Sequence, residues 1–263
     1  MDFTLTDEQL LLRESVEKYV ADHGGVDRHR KLSTTDLGYE PAAWQSFAEL
    51  GWLALPFSEA DGGLGGSVTD LMVMCEALGR GLVREPYLHT AVSCGGLLVS
   101  AGSEAQRAQH IPPLMEGNAQ WAFAFAEAQS GYDFSGINSC AVPQGDGYCL
   151  NGEKIAVLNG HAADYFIVTA LAEAGDPASL SLFIVAGEQP GIQRSSFTAL
   201  DGSRGAVLQF DNVALPANSL LGGAGAALGP IESTLNRSII ALGAESLGAM
   251  QVLVDSTVAV SYT

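Results

Sequence analysis

Basic side chains are scarce in this sequence. Its 263 residues include only 12 Lys and Arg against 30 Asp and Glu, so the formal net charge is −18. Binding to nucleic acid needs clustered Lys and Arg to neutralise phosphates, and the sequence contains no basic stripe. An anionic membrane surface would repel such a chain as well. The composition therefore argues against nucleic-acid and membrane-surface partners.

Cysteine is also rare, and its spacing shows no metal or disulfide pattern. The four cysteines are Cys75, Cys94, Cys140 and Cys149. They form no CxxC pair, and no His stands at zinc-ligand spacing from any of them, so we expect no metal site. Four reduced thiols, together with an N-terminus that lacks a basic and apolar leader, predict a cytoplasmic protein.

Long uninterrupted apolar runs are missing. The most apolar C-terminal stretch contains Glu245 and Asp255, so we expect no membrane-spanning segment there. Hydrophobic residues nevertheless make up 47% of the chain, and charged residues only 16%. This balance is typical of a soluble globular protein, and the length allows one large domain or two to three smaller ones.

Helix start and stop signals organise residues 1–118. Thr6 with Gln9 makes a capping box before an apolar face that ends at Gly24. Further helices are predicted to begin near Pro41, at Ser67 or Thr69, near Tyr87, and at a second capping box of Ser103 and Gln106. These signals predict an N-terminal all-α domain.

The pattern changes to short strand-like runs over residues 119–217. Trp121 to Phe125 alternates as a half-buried strand does. Similar runs cover residues 148–150, 165–168, 180–185 and 206–210, with turn signals at Gly145-Asp146-Gly147, Asn151-Gly152 and Asn159-Gly160. Several short strands at this spacing predict a small β-barrel or sandwich.

A long apolar stripe follows in residues 228–263. Its members are Ile231, Leu235, Ile239, Leu242, Met250, Val254 and Val258. A helix of this length cannot bury its stripe alone, so it needs following helices or another chain. The predicted fold is α+β and multidomain, with an N-terminal helical domain, a middle β-barrel or sandwich domain, and the start of a C-terminal helical bundle.

Five segments, in order along the chain, resemble segments of acyl-CoA dehydrogenases. They are residues 51–65 (GWLALPFSEADGGLG), 102–117 (GSEAQRAQHIPPLMEG), 150–154 (LNGEK), 208–216 (LQFDNVALP) and 244–251 (AESLGAMQ). Each segment is weak alone, but their order and the domain pattern together are specific. The resemblance covers the whole chain and implies FAD, an acyl-CoA substrate and α,β-desaturation.

The resemblance also implies where the flavin is contacted. The family's Thr-Glu-Pro-x-x-Gly-Ser-Asp stretch is matched by residues 126–133, where Ala126 replaces Thr and Tyr132 replaces Ser. The family's Trp-Ile-Thr or Trp-Ile-Ser contact is matched by residues 156–158 (AVL). The candidate FAD-binding residues are therefore Phe125, Ala126, Glu127, Tyr132, Ala156 and Leu158.

Two interpretations of these replacements stay open. The chain is either a working flavoprotein that uses backbone contacts, or a subunit that holds FAD weakly or not at all. Under the second interpretation, the chain resembles the small subunit of pimeloyl-CoA dehydrogenase-type heteromers. This resemblance implies a homo- or hetero-oligomer with another acyl-CoA dehydrogenase subunit. A third hypothesis is a truncated or remodelled chain that only binds a ligand or another protein.

The catalytic glutamate of the family has no matching residue. Most members place it in a region past Thr263, so the resemblance implies a C-terminally truncated chain. A minority place it directly before an Arg early in the C-terminal domain, where this chain has Asn236 before Arg237. An amide cannot act as a general base near neutral pH. Glu232 and Glu245 remain on the same predicted helix, and the catalytic residue is left unassigned.

Overall fold

The computed structural model describes residues 4–130 and 133–261, and it begins with a helical bundle. The predicted capping boxes at Thr6 and Ser103 are confirmed, and Ser67 forms another with Asp70. The helices are α1 (Asp7–His23), α2 (Val26–Ser33), α3 (Pro41–Glu49), α4 (Val68–Arg80), a π-helical segment (Leu88–Cys94) continuing into α5 (Gly95–Ala101), and α6 (Glu104–Met115).

Aromatic rings fill the centre of this bundle. Tyr19 of α1 meets Phe47 and Trp52 edge to face, with ring centroids 5.6 and 5.3 Å apart. Phe47 and Trp52 also contact each other and are almost fully buried. Each buried aromatic ring removes about 150–250 Å² from water, so this cluster fixes how α1 and α3 pack together.

Eight strands follow and form one hydrogen-bonded sheet. The strands are β1 (Trp121–Ala124), β2 (Cys140–Gln144), β3 (Gly147–Leu158), β4 (Tyr165–Leu171), β5 (Leu180–Ala186), β6 (Ile192–Thr198), β7 (Arg204–Pro216) and β8 (Leu220–Leu221). The paired order is β6-β7-β3-β2-β4-β5-β8, and β1 pairs with β4. The predicted barrel is wrong, because in the described strands the two ends of this order, β6 and β8, do not pair. Barrel closure depends on strands distant in sequence, which local patterns do not encode.

One of the predicted turns is wrong, because its residues lie inside β3. Asn151-Gly152 was expected to form a turn but stands inside this strand, where the register against β7 shifts between Leu150 and Gly152. Gly152 has φ 142°, and a Cβ at this position would overlap the Ser139 side chain. The pair therefore marks a β-bulge, which bends the strand without ending it.

The two faces of the sheet belong to different cores. Along β4, Phe166 and Val168 pack into the interior of the β region, whereas Ile167 between them packs on the helical core. All three side chains are fully buried. Because successive side chains of a strand point to opposite faces, a strand buried on both faces has a continuous apolar run. The run from Tyr165 to Leu171 is such a strand.

Helix α7 (Leu228–Ser261) crosses the helical bundle and lies against α4. A Cβ at Gly248 would overlap the Glu76 carbonyl, and a Cβ at Gly79 would overlap the Glu245 carbonyl, so the two backbones are in contact. Such close contact selects small side chains, and α7 buries Thr234, Ser238, Ala241 and Ala244 on its inward face, together with the larger Ile231 near its start.

The apolar stripe predicted for this helix is only partly covered. Ile231 is buried and Leu235 packs on the helical core, which agrees with the prediction. The remaining large members, by contrast, are exposed in the described chain: Ile239, Leu242, Met250, Val254 and Val258. The stripe of large apolar residues predicted an apolar face, but the inward face of α7 is formed mainly by small side chains, which a hydrophobic pattern does not single out.

Within the described residues, α7 is the one helix long and apolar enough to cross a membrane by length and composition. This departs from the expectation based on Glu245 and Asp255. Core helices pass the same test, and α7 packs Ala241 and Ala244 on the helical core. Length and composition alone therefore do not assign it to a membrane.

Candidate functional site

The structure brings the two predicted flavin-contact segments side by side. Phe125, Ala126 and Glu127 directly follow β1, and Ala156 and Leu158 lie at the end of β3. The Ile155 N–H donates to the Ala126 carbonyl at 2.8 Å. The remaining candidate, Tyr132, lies outside the described residues.

A buried ion pair joins these segments. Lys154 Nζ lies 2.5 Å from a Glu127 carboxylate oxygen, and both side chains are almost fully buried. Lys154 also donates to Thr169 Oγ1 at 3.0 Å. Glu127 also accepts hydrogen bonds from the Asn138 and Ser139 N–H groups, at 2.8 and 3.1 Å. The Glu127 carboxylate is therefore engaged within the chain.

Electrostatics keep the Glu127 carboxylate ionised. Burial alone would raise its pKa, but the hydrogen bond and the charge of Lys154, with hydrogen bonds from Asn138 and Ser139, lower the pKa below its usual value. A buried carboxylate that is paired in this way resists protonation and fixes the geometry around it. Lys154 and Glu127 thus tie the segment after β1 to β3.

Ala156 adopts a backbone conformation that is unusual for a residue with a side chain. Its φ is 52°, and the β3–β7 register shifts between Lys154 and Val157. Such bulges and left-handed residues are frequent next to functional sites, because they interrupt pairing and re-aim the strand. Here the side chains presented are Ala156, which is exposed, and Leu158, which is 37% exposed. Neither has a hydrogen-bonding group.

Asn159 fixes the end of β3 against the helical domain. Its φ is 60°, and its side-chain Nδ2 donates to the Trp121 carbonyl at 3.1 Å. The same amide lies 3.3 Å from Thr90 Oγ1 and from Gln120 Oε1. The sequence predicted only a turn at this residue. In the structure Asn159 is a buried hub that positions Leu158 beside the π-helical segment.

A cavity of about 420 Å³ opens at this junction. Its wall combines the end of β3 (Leu158 and Asn159), the loop and π-helical segment over residues 82–89, the 201–204 turn and α7 (Leu242 and Glu245). This volume is within the range of small-molecule sites, which are usually concave and mainly apolar with a few polar groups. Leu158, a predicted flavin-contact residue, therefore also faces a ligand-sized space.

Glu245 is the acidic side chain that α7 contributes to the cavity. Burial raises its pKa to about 7, so the carboxyl group is partly protonated near neutral pH. Cys75 and Tyr87, which also line the cavity, have pKa values raised mainly by burial. Asn236 and Glu232 are both exposed, so among the three positions considered from the sequence only Glu245 reaches this space.

Most of the cavity lining carried no signal in the sequence. Tyr87, His89, Arg84 and Arg204 belong to no motif, and the loop and the 201–204 turn are far apart along the chain. Burial lowers the pKa of His89 to about 4, which keeps its imidazole neutral. Within residues 4–130 and 133–261, no group of three or more His, Cys, Asp or Glu side chains is arranged to hold a metal ion.

Two domains of one known protein family match the helical region and the β region of this chain. Residues 6–118 match the N-terminal domain of acyl-CoA dehydrogenases, and residues 122–213 match the middle domain of the same family. The fold and its domain order are those of a flavoprotein oxidoreductase. The chain belongs to the acyl-CoA dehydrogenase family, as the resemblance predicted.

Individual relatives support this assignment. The probable acyl-CoA dehydrogenase YngJ of Bacillus subtilis (strain 168) is 29% identical over 98% of this chain and 70% of its own length. A glutaryl-coenzyme A dehydrogenase in complex with glutaryl-CoA superposes with a TM-score of 0.90 at 26% identity, covering 98% of this chain and 67% of that one.

A heteromeric relative shares the fold. The ChsE4-ChsE5 complex from Mycobacterium tuberculosis superposes with a TM-score of 0.80 at 22% identity, over 90% of this chain and 62% of that one. At this identity the likeness concerns the fold alone. The chain spans about two thirds of the length of the proteins it matches.

Proposed function

We propose that this chain is the small, flavin-poor subunit of a cytoplasmic acyl-CoA dehydrogenase heteromer that desaturates an acyl-CoA thioester at its α,β bond. The observation that carries the proposal is the contrast within the flavin-contact segments. Their scaffold is kept by the Lys154–Glu127 pair. Their side chains Ala126, Ala156 and Leu158 have lost every hydrogen-bonding group. The resemblance to pimeloyl-CoA dehydrogenase-type small subunits supports the heteromer.

The backbone contacts of the first segment, residues 125–127, are an argument that FAD is bound weakly. The Glu127 N–H donates to Ser130 Oγ at 3.3 Å, and the Ala126 carbonyl accepts from Ile155. The Phe125 carbonyl accepts from Lys154 Nζ and from Thr169 Oγ1, both at 3.4 Å. The Glu127 N–H already has a partner within the chain, and the side chains of Ala126, Ala156 and Leu158 offer a flavin no hydrogen bond, which supports weak binding of FAD. FAD, where it is bound, supplies the acceptor for the β hydride in this chemistry.

The cavity beside Leu158 is the proposed place for the acyl part of the thioester. Leu78, Leu88 and Leu242 give it apolar walls, and its volume of about 420 Å³ suits a small ligand. An apolar wall next to a polar end holds an acyl chain while its reacting end is oriented. Leu158 would then separate the acyl group from the flavin side of the site.

Assembly with another acyl-CoA dehydrogenase subunit is supported by α7. Its exposed large side chains include Ile239, Leu242, Met250 and Val254. Contiguous exposed apolar surface of this kind marks interaction sites in soluble proteins. The unpaired state of all four cysteines supports a reducing, cytoplasmic location for the complex.

Visible absorption of the purified chain tests the proposal. We expect clearly less than one FAD per chain when the protein is purified alone, and no reduction of an artificial electron acceptor with straight-chain or dicarboxylic acyl-CoA. Co-expression with a second acyl-CoA dehydrogenase subunit is expected to restore both. A tightly bound flavin at one per chain, in protein purified alone, would contradict the flavin-poor assignment.

A second candidate function is catalysis by this chain itself, and Glu245 favours it. Its carboxyl group lines the cavity with a pKa of about 7, a value suited to a general base. If the isolated chain turns over, Glu245→Gln should lower kcat by about 10²–10⁴-fold, as loss of a general base does. Glu232→Gln, on the exposed face of the same helix, is the matched control and should leave kcat unchanged.

A further inference from the structure

Positive charges gather at one side of the cavity although the chain is acidic. Only 12 of the 263 residues are Lys or Arg. Arg84 and Arg204 both line the cavity, together with His29 and His161. In a protein with a net charge of −18, such a concentration of cationic and imidazole groups needs a physical explanation.

Neutral acceptors hold these side chains in place. Arg84 Nε donates to the Gly38 carbonyl at 2.7 Å, and its Nη2 donates to the Gly202 carbonyl. Arg204 Nη2 donates to the Ser33 carbonyl at 3.3 Å, and His161 Nε2 lies 2.9 Å from the Leu37 carbonyl. Each contact fixes the orientation of a ring or guanidinium without neutralising a charge.

Nearby carboxylates are occupied elsewhere. Glu85 forms an ion pair with Arg28 at 2.6 Å, and Asp201 accepts from both Ser203 N–H and Ser203 Oγ. In the described part of the chain, neither Arg84 nor Arg204 has a carboxylate oxygen within 4.0 Å. Asp201 acts on Arg84 only from a greater distance.

Two buried nitrogen atoms in this group have no hydrogen-bond partner. They are Arg204 Nε and His161 Nδ1, and no described residue satisfies either. Arg204 Nε is a donor, and an unpaired buried donor destabilises the folded chain. His161 Nε2 lies against the Leu37 carbonyl and burial lowers the pKa of His161, so the ring is neutral and its Nδ1 is an acceptor. The two guanidinium groups also repel each other: burial is the largest cause that lowers the pKa of Arg84, and the charge of Arg204 lowers it further.

We propose that Arg84 and Arg204 form an oxyanion subsite of the cavity, which binds a phosphate or carboxylate group of the ligand. An anion placed there would accept a hydrogen bond from Arg204 Nε and relieve the repulsion between the two guanidinium groups. Guanidinium groups held in a fixed orientation are suited to this task, because they present several N–H donors in one plane. The subsite is independent of whether the chain binds FAD.

Calorimetric titration of the full chain with inorganic phosphate and, separately, with acetate tests the subsite, with chloride at the same ionic strength as the reference. We expect at least one of the two anions to bind beyond the chloride reference. Binding of phosphate alone assigns the subsite to a phosphate group, and binding of acetate assigns it to a carboxylate. Absence of binding by both anions would overturn the proposal.

Two charge-removing variants localise the effect. Arg204→Gln should weaken binding by at least about tenfold, which corresponds to one charge-assisted contact of about 1.4 kcal/mol. Arg30→Gln removes the same charge from an exposed side chain of α2 and should bind as the unchanged protein does. Equal loss in both variants would overturn the proposal. Arg84→Gln removes the other guanidinium of the subsite and should weaken binding to a similar extent; unchanged binding by this variant would overturn the proposal if Arg204→Gln does not fold.

These results are separable from those on the proposed function, since neither flavin nor thioester is present in the titration. A chain that binds FAD tightly and also binds phosphate would contradict the flavin-poor assignment and support the subsite. A colourless chain that binds no anion would support the flavin-poor assignment and overturn the subsite.

Discussion

At the scale of single residues, the Glu127–Lys154 pair should be the most sensitive polar contact of the β region. Lys154→Met would leave the Glu127 carboxylate buried without its cation. Breaking a buried pair in this way costs about 3–5 kcal/mol. We therefore expect a loss of that order in the free energy of unfolding, measured with urea. The double variant Glu127→Gln with Lys154→Met should recover part of the loss.

Arg30 provides the matched control for this pair. It lies 3.9 Å from Asp27, and both side chains are mostly exposed. Exposed ion pairs contribute little, so Arg30→Met should change the free energy of unfolding by less than about 0.5 kcal/mol. Similar losses for Lys154→Met and Arg30→Met would show that the buried pair does not tie the two segments together.

Glu245 should make the stability of the protein depend on pH. Burial raises its pKa to about 7, above the ordinary value of 4.5. The folded state therefore holds this proton more tightly than the unfolded state. The resulting contribution to stability is fully present below pH 4.5 and is lost as the pH rises through 7.

Thermal unfolding of Glu245→Gln between pH 5 and pH 8 checks this dependence. Compared with the unchanged protein, the variant should gain stability as the pH rises, by up to about 3 kcal/mol for a pKa difference of this size. Glu232→Gln on the exposed face of α7 should show no such trend. A difference in Tm that is constant with pH would mean that Glu245 ionises normally.

The residues of the candidate site could be proposed from the sequence only where a local motif contains them. Phe125 to Glu127 and Ala156 to Leu158 were located through short segments that resemble one family, and the structure places them side by side. The cavity, in contrast, joins Arg84, Arg204 and Glu245, which no motif connects. Tertiary packing brings these residues together, so their spacing along the sequence does not predict that they are close.

At the scale of elements, the contact between α4 and α7 depends on glycine. A Cβ at Gly248 would overlap the Glu76 carbonyl, whereas a Cβ at Gly243, on the same helix, would meet no atom within 4 Å. Gly248→Ala should therefore push the helices apart and cost about 1–3 kcal/mol, as overpacking does.

Gly243→Ala should have the opposite sign. Replacing an unhindered helical glycine by alanine stabilises a helix by about 0.5–1 kcal/mol, because the unfolded chain loses freedom. Comparing the urea midpoints of the two variants isolates packing from helix propensity. Stabilisation by both substitutions would show that α7 does not lie in contact with α4.

The success of the predicted elements follows from how local their signals are. The capping boxes at Thr6 and Ser103 correctly predicted the starts of α1 and α6, because a capping box is formed within four residues. Helix α2 was missed, since its eight residues bury only Leu32. Strand β6 was missed because, at the edge of the sheet, all seven of its residues are exposed or half-buried. Sheet closure and the inward face of α7 depend on distant partners, which no local pattern specifies.

At the scale of the whole molecule, the exposed face of α7 predicts assembly. The helix has 34 residues and is about 50 Å long at about 1.5 Å per residue. Large apolar side chains follow one another along it, including Leu242, Met250, Val254 and Val258. Leaving such a face in water costs about 25 cal/mol per Å² of apolar surface. We expect dimers or larger species at micromolar concentration.

Light scattering of two double variants tests this expectation. Met250→Lys with Val254→Lys places charges in the middle of the exposed face and should shift the mass towards the monomer, since buried unpaired charges oppose association. Leu11→Lys with Leu64→Lys alters two similarly exposed apolar residues outside α7 and should leave the mass unchanged. A sharp monomer peak for the unchanged protein would remove the case for α7 as the assembly surface. Equal dissociation by both variants would indicate a general effect of charge rather than a contact at this face.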